Sequence, residues 1–474
     1  MPLEKNAPAE GKVLFFFEQI SKIPRRSFLT APIADYLCDF ARARGLWFYR
    51  DGADNVIIKK DASRGTEKRN AVILQAHTDM VLVTKDASVE QDRGVKLLKK
   101  GDFLIAEGTS LGGDDGIGMA YILAILGDKD LVHPPIEAVF TSNEEVGLLG
   151  AAALDCSALS GRMLINLDSD TEGIFTVGCA GGSGARLSLP LKRPIEEKGY
   201  TLTLLGLPGG HSGTEIAKGI KNASLLLVAF LKELCEKAPL RLAALSGGEA
   251  SNAIPAFATA SFFSSLTFDK LSEICKQYFT KDAFGCEGAR FSLERSDTIF
   301  CAAEEESRAT IEHILSLPNG VLAMEKDLIA TPETSLNLGI IKTEKDALSL
   351  SYSLRSSKNE KRAALEKKLE SDALRFGGTA HFDGAYPAWE FKECSALRDA
   401  CLKAYREAYG SEAAVEVIHA GLECGIFADK IPGLDAVSFG PTNMDIHTVD
   451  ERLSLSSAAR TFRLLLGILK TLTE

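Results

Sequence analysis

A chain of 474 residues exceeds one ordinary core and suggests two or three domains, at roughly 100–200 residues each. Apolar residues make up 45% and charged residues 25%, the usage of a globular protein rather than a disordered or fibrous one. With 54 Lys+Arg against 65 Asp+Glu the net charge is −11, which argues against a nucleic-acid binder with a basic face and leaves acids in supply for other work.

The first apolar run, residues 13–17, is short and flanked by Glu4, Glu10 and Glu18, unlike a secretory signal. Residues 13–23 and 31–44 carry helical apolar spacing, with Pro24 and Pro32 between them. Residues 56–58 and 71–76 read as strands, the second nearly continuous in apolar residues as if buried on both faces. A buried helix is predicted over 116–126, with further strands at 138–141 and 163–167. This alternation points to an α/β fold, a central mixed sheet flanked by helices. At 178–184 the composition turns glycine-rich and the rhythm changes. Strand-like runs at 200–205, 242–245 and 259–266 accompany a long helical pattern over 214–237. A strand at 347–354 then precedes a charged helix over 358–376. The α/β rhythm resumes near 396 and ends in an amphipathic segment, 453–472. The predicted layout is a catalytic domain, 1–185 and 386–474, interrupted by an inserted α+β domain, 186–385. No 20–50-residue repeat is visible, and no apolar stretch is long enough to span a bilayer. Ten cysteines in no C-x-x-C pair read as reduced core thiols of a cytoplasmic protein.

The chemistry concentrates at the ends of the core segments. His77 directly follows a predicted buried strand, and Asp79 stands two residues on, the same face if the strand persists. A carboxylate there can fix the imidazole tautomer that binds a metal, although a strand-end histidine with ordinary hydrogen bonds is the simpler reading of the motif alone. Asp114 and Asp115 lie between glycines before the helix, which by itself reads as a capped N-terminus. The loop lacks the Gly-Lys-Ser/Thr ending of a phosphate loop. Glu144 and Glu145 follow another core strand, where one carboxylate can bind a cation while its neighbour moves a proton. Asp168 and His447 complete the set. Two histidines with several carboxylates and no cysteine suit a catalytic metal site better than a structural one.

These motifs resemble the M20 family of co-catalytic zinc peptidases, and most closely its dipeptidase branch. The match runs through Gln75–Met80, 111–118, 142–147 and 166–169. It continues through 178–182, Gly209–Gly213, 252–255 and His419–Gly425. The resemblance implies two Zn2+, replaceable by ions such as Co2+ or Mn2+. His77 and Asp168 would bind one, Glu145 and His447 the other, and Asp114 would bridge them. It further implies that Asp79 orients His77 and that Glu144 is the general base toward a zinc-bridged water. His211 would reach the substrate carbonyl, in cis or from a partner subunit. Asn252 and Arg355 would contact the substrate carboxylate, and Gly421 and Glu423 would border the site. The implied activity is hydrolysis of Xaa-His and broader unblocked dipeptides by a cytoplasmic homodimer joined through the inserted lid domain, without nucleic-acid or membrane partners. An M20-type aminoacylase, deacetylase or carboxypeptidase would use the same metal residues. Two departures stand out: Asp115 falls where the subfamily often has Asn, and Thr448-Val449 follow His447 where relatives more often have Ser-Pro.

Overall fold

The structure, a computed structural model, describes residues 9–86, 93–326 and 331–474, so Glu4 of the N-terminal acidic flank lies outside it. The chain divides into two compact units. One comprises residues 1–179, 391–417 and 422–474, and the other residues 180–390 and 418–421. The predicted boundaries, 185/186 and 385/386, lie a few residues from these, and the return of residues 418–421 to the second unit had no counterpart in the sequence reading.

The first unit is built on an eight-stranded sheet. Its order is Trp47–Arg50, Val56–Lys60, Ile136–Thr141, Val72–His77, Met163–Asn166, Asp435–Ser438, Ile174–Cys179 and Ala414–Ile418. The four central strands, Ile136–Thr141 through Asp435–Ser438, run parallel. Val72–His77 is buried at every position, in keeping with its nearly continuous apolar run. Its one polar interior residue, Gln75, is satisfied by neighbours. Its amide nitrogen donates to Thr141 Oγ1 (3.1 Å) and Glu423 Oε2 (2.6 Å), and its oxygen accepts from Asn166 Nδ2 (2.5 Å). The helix Gly113–Gly127 is buried on all sides from Gly116 to Leu126, which explains why it is apolar all round rather than amphipathic. It packs against the helix Ala9–Ser21 and the strand Val72–His77.

The second unit is an antiparallel sheet in the order Arg290–Cys301, Ile195–Leu205, Ala258–Ser264, Leu240–Gly247, Pro332–Thr343, Ala347–Ser356, Gly181–Pro190 and Thr379–Tyr386. Gly320–Met324 pairs to one side. Alternation along these strands sends Leu187, Leu202, Leu242, Phe262, Leu338 and Leu350 into a common core with Leu227, Leu231, Ile311 and Leu369 from its helices. This unit is α+β.

One element differs from the sequence expectation. The helix expected over 214–237 begins only at Ala223. Gly219 (φ +69°) breaks the preceding turn, and the Asn222 side chain caps the helix by accepting from Leu225 N–H. The glycine-rich stretch near 180 falls where the chain passes from the first unit to the second, and it runs into the strand Gly181–Pro190. A Cβ at Gly181 or Gly182 would come within 2.5 Å of Ala388 N or the Tyr386 hydroxyl, so these glycines permit the close approach of the paired strand Thr379–Tyr386 and the residues after it. All ten cysteines are free; six are buried and Cys394 is exposed, so not every thiol lies in a core. Among the described residues no helix is long and apolar enough to cross a membrane.

Candidate metal and catalytic site

The parallel strands of the first unit end together: His77 lies in register with Thr141, and Asn166 with both Gln75 and Ser438. Open α/β sheets bind ligands beyond such carboxyl ends. Four segments leave this edge, carrying His77, Glu144–Glu145, Asp168 and His447. Asp114 enters from the start of the helix Gly113–Gly127.

The donor atoms converge. Asp114 Oδ1 lies 2.8 Å from His77 Nε2, and Asp114 Oδ2 lies 3.2 Å from His447 Nε2. Asp168 Oδ1 is 3.4 Å from His77 Nε2, and Glu145 Oε1 is 2.9 Å from His447 Nε2. Two ligand-type sets result, His77–Asp114–Asp168 and Asp114–Glu145–His447, sharing Asp114; a third combines His77 with Glu144 and Glu145. His77 is fully buried, whereas His447 is half exposed.

The protonation pattern fits a place for cations. Burial pushes the Asp168 carboxyl up to about 8, and the Asp114 charge adds to the rise. Burial also holds Glu144 well above the usual carboxylate range, with Asp168, Glu423 and Glu145 acting the same way. Asp114 goes the other way: burial opposes, but hydrogen bonds from His447 and His77 keep it low. His447 is pushed up to about 10 by hydrogen bonds to Asp114 and Glu145. The acids thus draw protons onto the histidines to offset their own charge, a task divalent cations perform fully.

Asp79 differs in detail from the expectation. The strand ends at His77, and the nearest Asp79 atom to His77 Nδ1 is its main-chain oxygen, at 3.1 Å; the carboxylate is 3.6 Å away. The Asp79 carboxylate is turned toward the glutamate turn. It accepts from Glu144 N–H (2.9 Å), Glu145 N–H (3.4 Å) and Ser27 Oγ (2.7 Å). Asp79 therefore joins the imidazole-bearing strand to the glutamate turn. Asp115 takes no part in the donor sets. Its Oδ1 caps the helix by accepting from Gly118 N–H at 3.0 Å, and the residues preceding Gly116 are not helical.

In the second unit His211, Asn252, Arg355 and Gly421 come together. Gly213 sits so close that a Cβ there would lie 2.9 Å from His211 Cε1 and 3.2 Å from Arg355 Cζ. Asn252 accepts from Ser212 N–H, and Gly421 packs on the Tyr386 ring, whose hydroxyl lies 3.1 Å from Arg355 Nη1. Burial and the Arg355 charge lower the His211 pKa. Arg355 is 8% exposed, its Nε has no hydrogen-bond partner, and no acid pairs with it among the described residues. Glu423 is not part of this group. It belongs to the first unit, fully buried, accepting from Gln75 and Thr141 Oγ1 (2.7 Å). The sequence reading quoted His419 within a motif without a role. It is buried beside Ser335 Oγ (2.7 Å), and burial, then the Arg355 charge, brings it down to about 4. Its mark in the sequence was only its place at the head of the His419–Gly425 motif.

Fold and donor set fit a hydrolase of the metallopeptidase class. A family model described as peptidase family M20/M25/M40 matches residues 73–471, and the chain belongs to that family. It is 34% identical over 466 residues to the cytosol non-specific dipeptidase of Escherichia coli (strain K12), covering 96% of each chain. Its structure is similar to an aminoacylhistidine dipeptidase from Vibrio alginolyticus, with a TM-score of 0.86, 34% identity and 98% of each chain covered. Likeness to an aminopeptidase from Bacillus cereus (TM-score 0.57, 16% identity, 98% of this chain and 99% of that one) extends to the fold alone.

Proposed function

We propose that the protein hydrolyses the peptide bond of unblocked dipeptides, Xaa-His among them, with two divalent cations. The observation that carries this is Asp114, whose two oxygens face different histidines, so that two donor sets overlap on one carboxylate. We assign His77, Asp168 and Asp114 to one ion, and Glu145, His447 and Asp114 to the other. Zinc suits nitrogen and oxygen donors without thiolates, and Co2+ or Mn2+ would substitute. Bound cations would polarise the scissile carbonyl and ease deprotonation of the attacking water.

The side chains supply the rest. Glu144 takes the proton from the attacking water and returns it to the leaving amine. Burial raises its proton affinity, and the Asp79 carboxylate anchors the main chain that carries it. Asp79 also holds the His77 ring through Nδ1. His211 supports the charge developing on the carbonyl oxygen. Asn252, Arg355 and Gly421 receive the dipeptide carboxylate: a nearly buried guanidinium with no acid partner is a ready anion site. Glu423 acts from behind, bracing Gln75 and Thr141 on the strands that carry His77 and the glutamate turn.

The two dipeptidase relatives, matched over nearly the whole chain, support the substrate class. A cytoplasmic setting agrees with the cytosolic relative, and a homodimer through the second unit agrees with the exposed edge strand Arg290–Cys301, where Phe300 is 55% exposed. The test is metal analysis, then hydrolysis of carnosine and Leu-His beside an N-acetyl amino acid and a tripeptide, with mass measurement in solution for the dimer. Two ions per chain and dipeptide cleavage are expected. Preference for the acetylated compound would turn the reading to an aminoacylase or deacetylase, and release of only the C-terminal residue of longer peptides to a carboxypeptidase.

A further inference from the structure

Two buried charges outside the donor sets hold three of the donor segments together. Glu451 is 3% exposed, and its carboxylate faces a run of consecutive amides. It accepts from Leu111 N–H (2.7 Å), Gly112 N–H (2.8 Å), Gly113 N–H (2.9 Å) and Asp114 N–H (3.4 Å). It also accepts from Asn443 Nδ2 at 3.0 Å. Asn443 and Glu451 bracket the segment carrying His447, so one carboxylate pins that segment to the loop presenting Asp114.

Arg25, also 3% exposed, performs the complementary task with carbonyls. Its Nη1 donates to Thr78 O (3.1 Å) and Asp79 O (2.8 Å), directly after His77, while its Nη2 donates to Gly112 O. Its own carbonyl accepts from Met80 N–H at 3.1 Å. The loop is shaped around this guanidinium: a Cβ at Gly112 or Gly116 would come within 2.6 Å of Arg25 Nη2. Gly112 is thus held on both sides, its N–H by Glu451 and its carbonyl by Arg25. Charge-assisted bonds of this kind are short and directional, and they tolerate substitution poorly because a neutral amide offers a donor where an acceptor is needed.

We infer that Arg25 and Glu451 are positioning residues that lock the His77, Asp114 and His447 segments into a single cation-binding geometry. Neither hydrogen-bonds a donor atom of the two sets; both act through the main chain that carries them. The inference rests on the reading of those three residues as metal ligands.

The test is metal affinity of the full-length protein, stripped of metal and titrated with Zn2+ against a competing chelator without substrate. Glu451→Gln and Arg25→Met are expected to bind about 10–100-fold more weakly than wild type, the range for groups that orient ligands. Glu451→Asp and Arg25→Lys keep the charge, and should recover part of that loss even where the harsher variants fail to fold. Glu137→Gln is the control. Glu137 is a buried carboxylate of the same sheet that accepts from Ser160 and Gly161 N–H, away from the donor segments. It is expected to lower the melting temperature while leaving Zn2+ affinity unchanged. Wild-type affinity in all four variants, or an equal loss in the control, would overturn the inference. A wild-type protein that takes up no Zn2+ would overturn the ligand reading itself, and the inference with it.

Discussion

At the residue scale, neighbouring acids with the same chemistry have different work because of where their oxygens point. Asp114 faces two histidines, while its neighbour Asp115 turns into the helix and caps Gly118. Asp114→Asn should therefore lose bound metal and turnover together. Asp115→Asn should keep metal content and stay within a few-fold of wild-type turnover; equal metal loss in both, by elemental analysis, would count against the assignment. Glu144 and Glu145 divide in the same way, since Glu145 meets His447 and Glu144 does not. Glu144→Gln should retain metal while kcat falls roughly 10²–10⁴-fold, the usual contribution of a placed general base. Near-normal turnover in that variant would remove Glu144 from the proposed chemistry. His447 and Asn143 hold φ of +61° and +51°, conformations that cost L residues free energy and persist where surrounding contacts impose them.

At the scale of elements, the turn that delivers Asp114 depends on one glycine. Gly112 has φ +69°, and a Cβ there would lie 2.6 Å from both Arg25 Nη2 and Met80 Sδ. Gly112→Ala combines a left-handed backbone with a clash, so it should destabilise the protein by about 2–4 kcal/mol. Urea unfolding measures this directly, and a change under 1 kcal/mol would mean the loop relaxes freely. The strand ends act as a set because the four central strands are parallel. Their carboxyl ends meet at one edge, where Gln75, Thr141, Asn166 and Glu423 tie them by hydrogen bonds. An antiparallel neighbour would have carried its loop to the opposite edge.

At the scale of the whole molecule, the residues given roles in the proposed reaction fall in both units of the chain. Every residue of the donor sets belongs to the first, whereas His211, Asn252 and Arg355 belong to the second. His211→Ala should thus leave metal content intact while lowering kcat by roughly 10²–10³-fold, as loss of one oxyanion donor does. Loss of metal in that variant would contradict the division. The second unit also carries an acid-sensitive group. His419 is held at about 4, below the ordinary 6.5, by burial and then by Arg355. The unfolded chain therefore binds a proton there that the folded chain refuses between those values. Stability should fall as pH drops from about 6.5 to 4 and level off below, by up to about 3 kcal/mol from this group. His419→Gln should flatten that part of the profile in denaturant titrations, and parallel wild-type and variant curves would sink the attribution.

Much of this was legible in the chain itself. The nearly continuous apolar run before His77 announced a strand buried on both faces, and the chemistry-bearing residues at the ends of such runs are ones whose ligand-type atoms converge in the fold. Motif spacing carried the family, and with it the expected roles. Other features have no local sign. Arg25 and Glu451 lie more than 400 residues apart in sequence, and nothing in either neighbourhood reveals that both grip Gly112. Glu423 shares a motif with Gly421 yet falls in a different unit. The physical reason is common to both. Periodicity and residue type report what a segment buries, whereas the direction of a buried charge or carboxylate is set by distant backbone groups that only the folded chain brings within hydrogen-bonding reach.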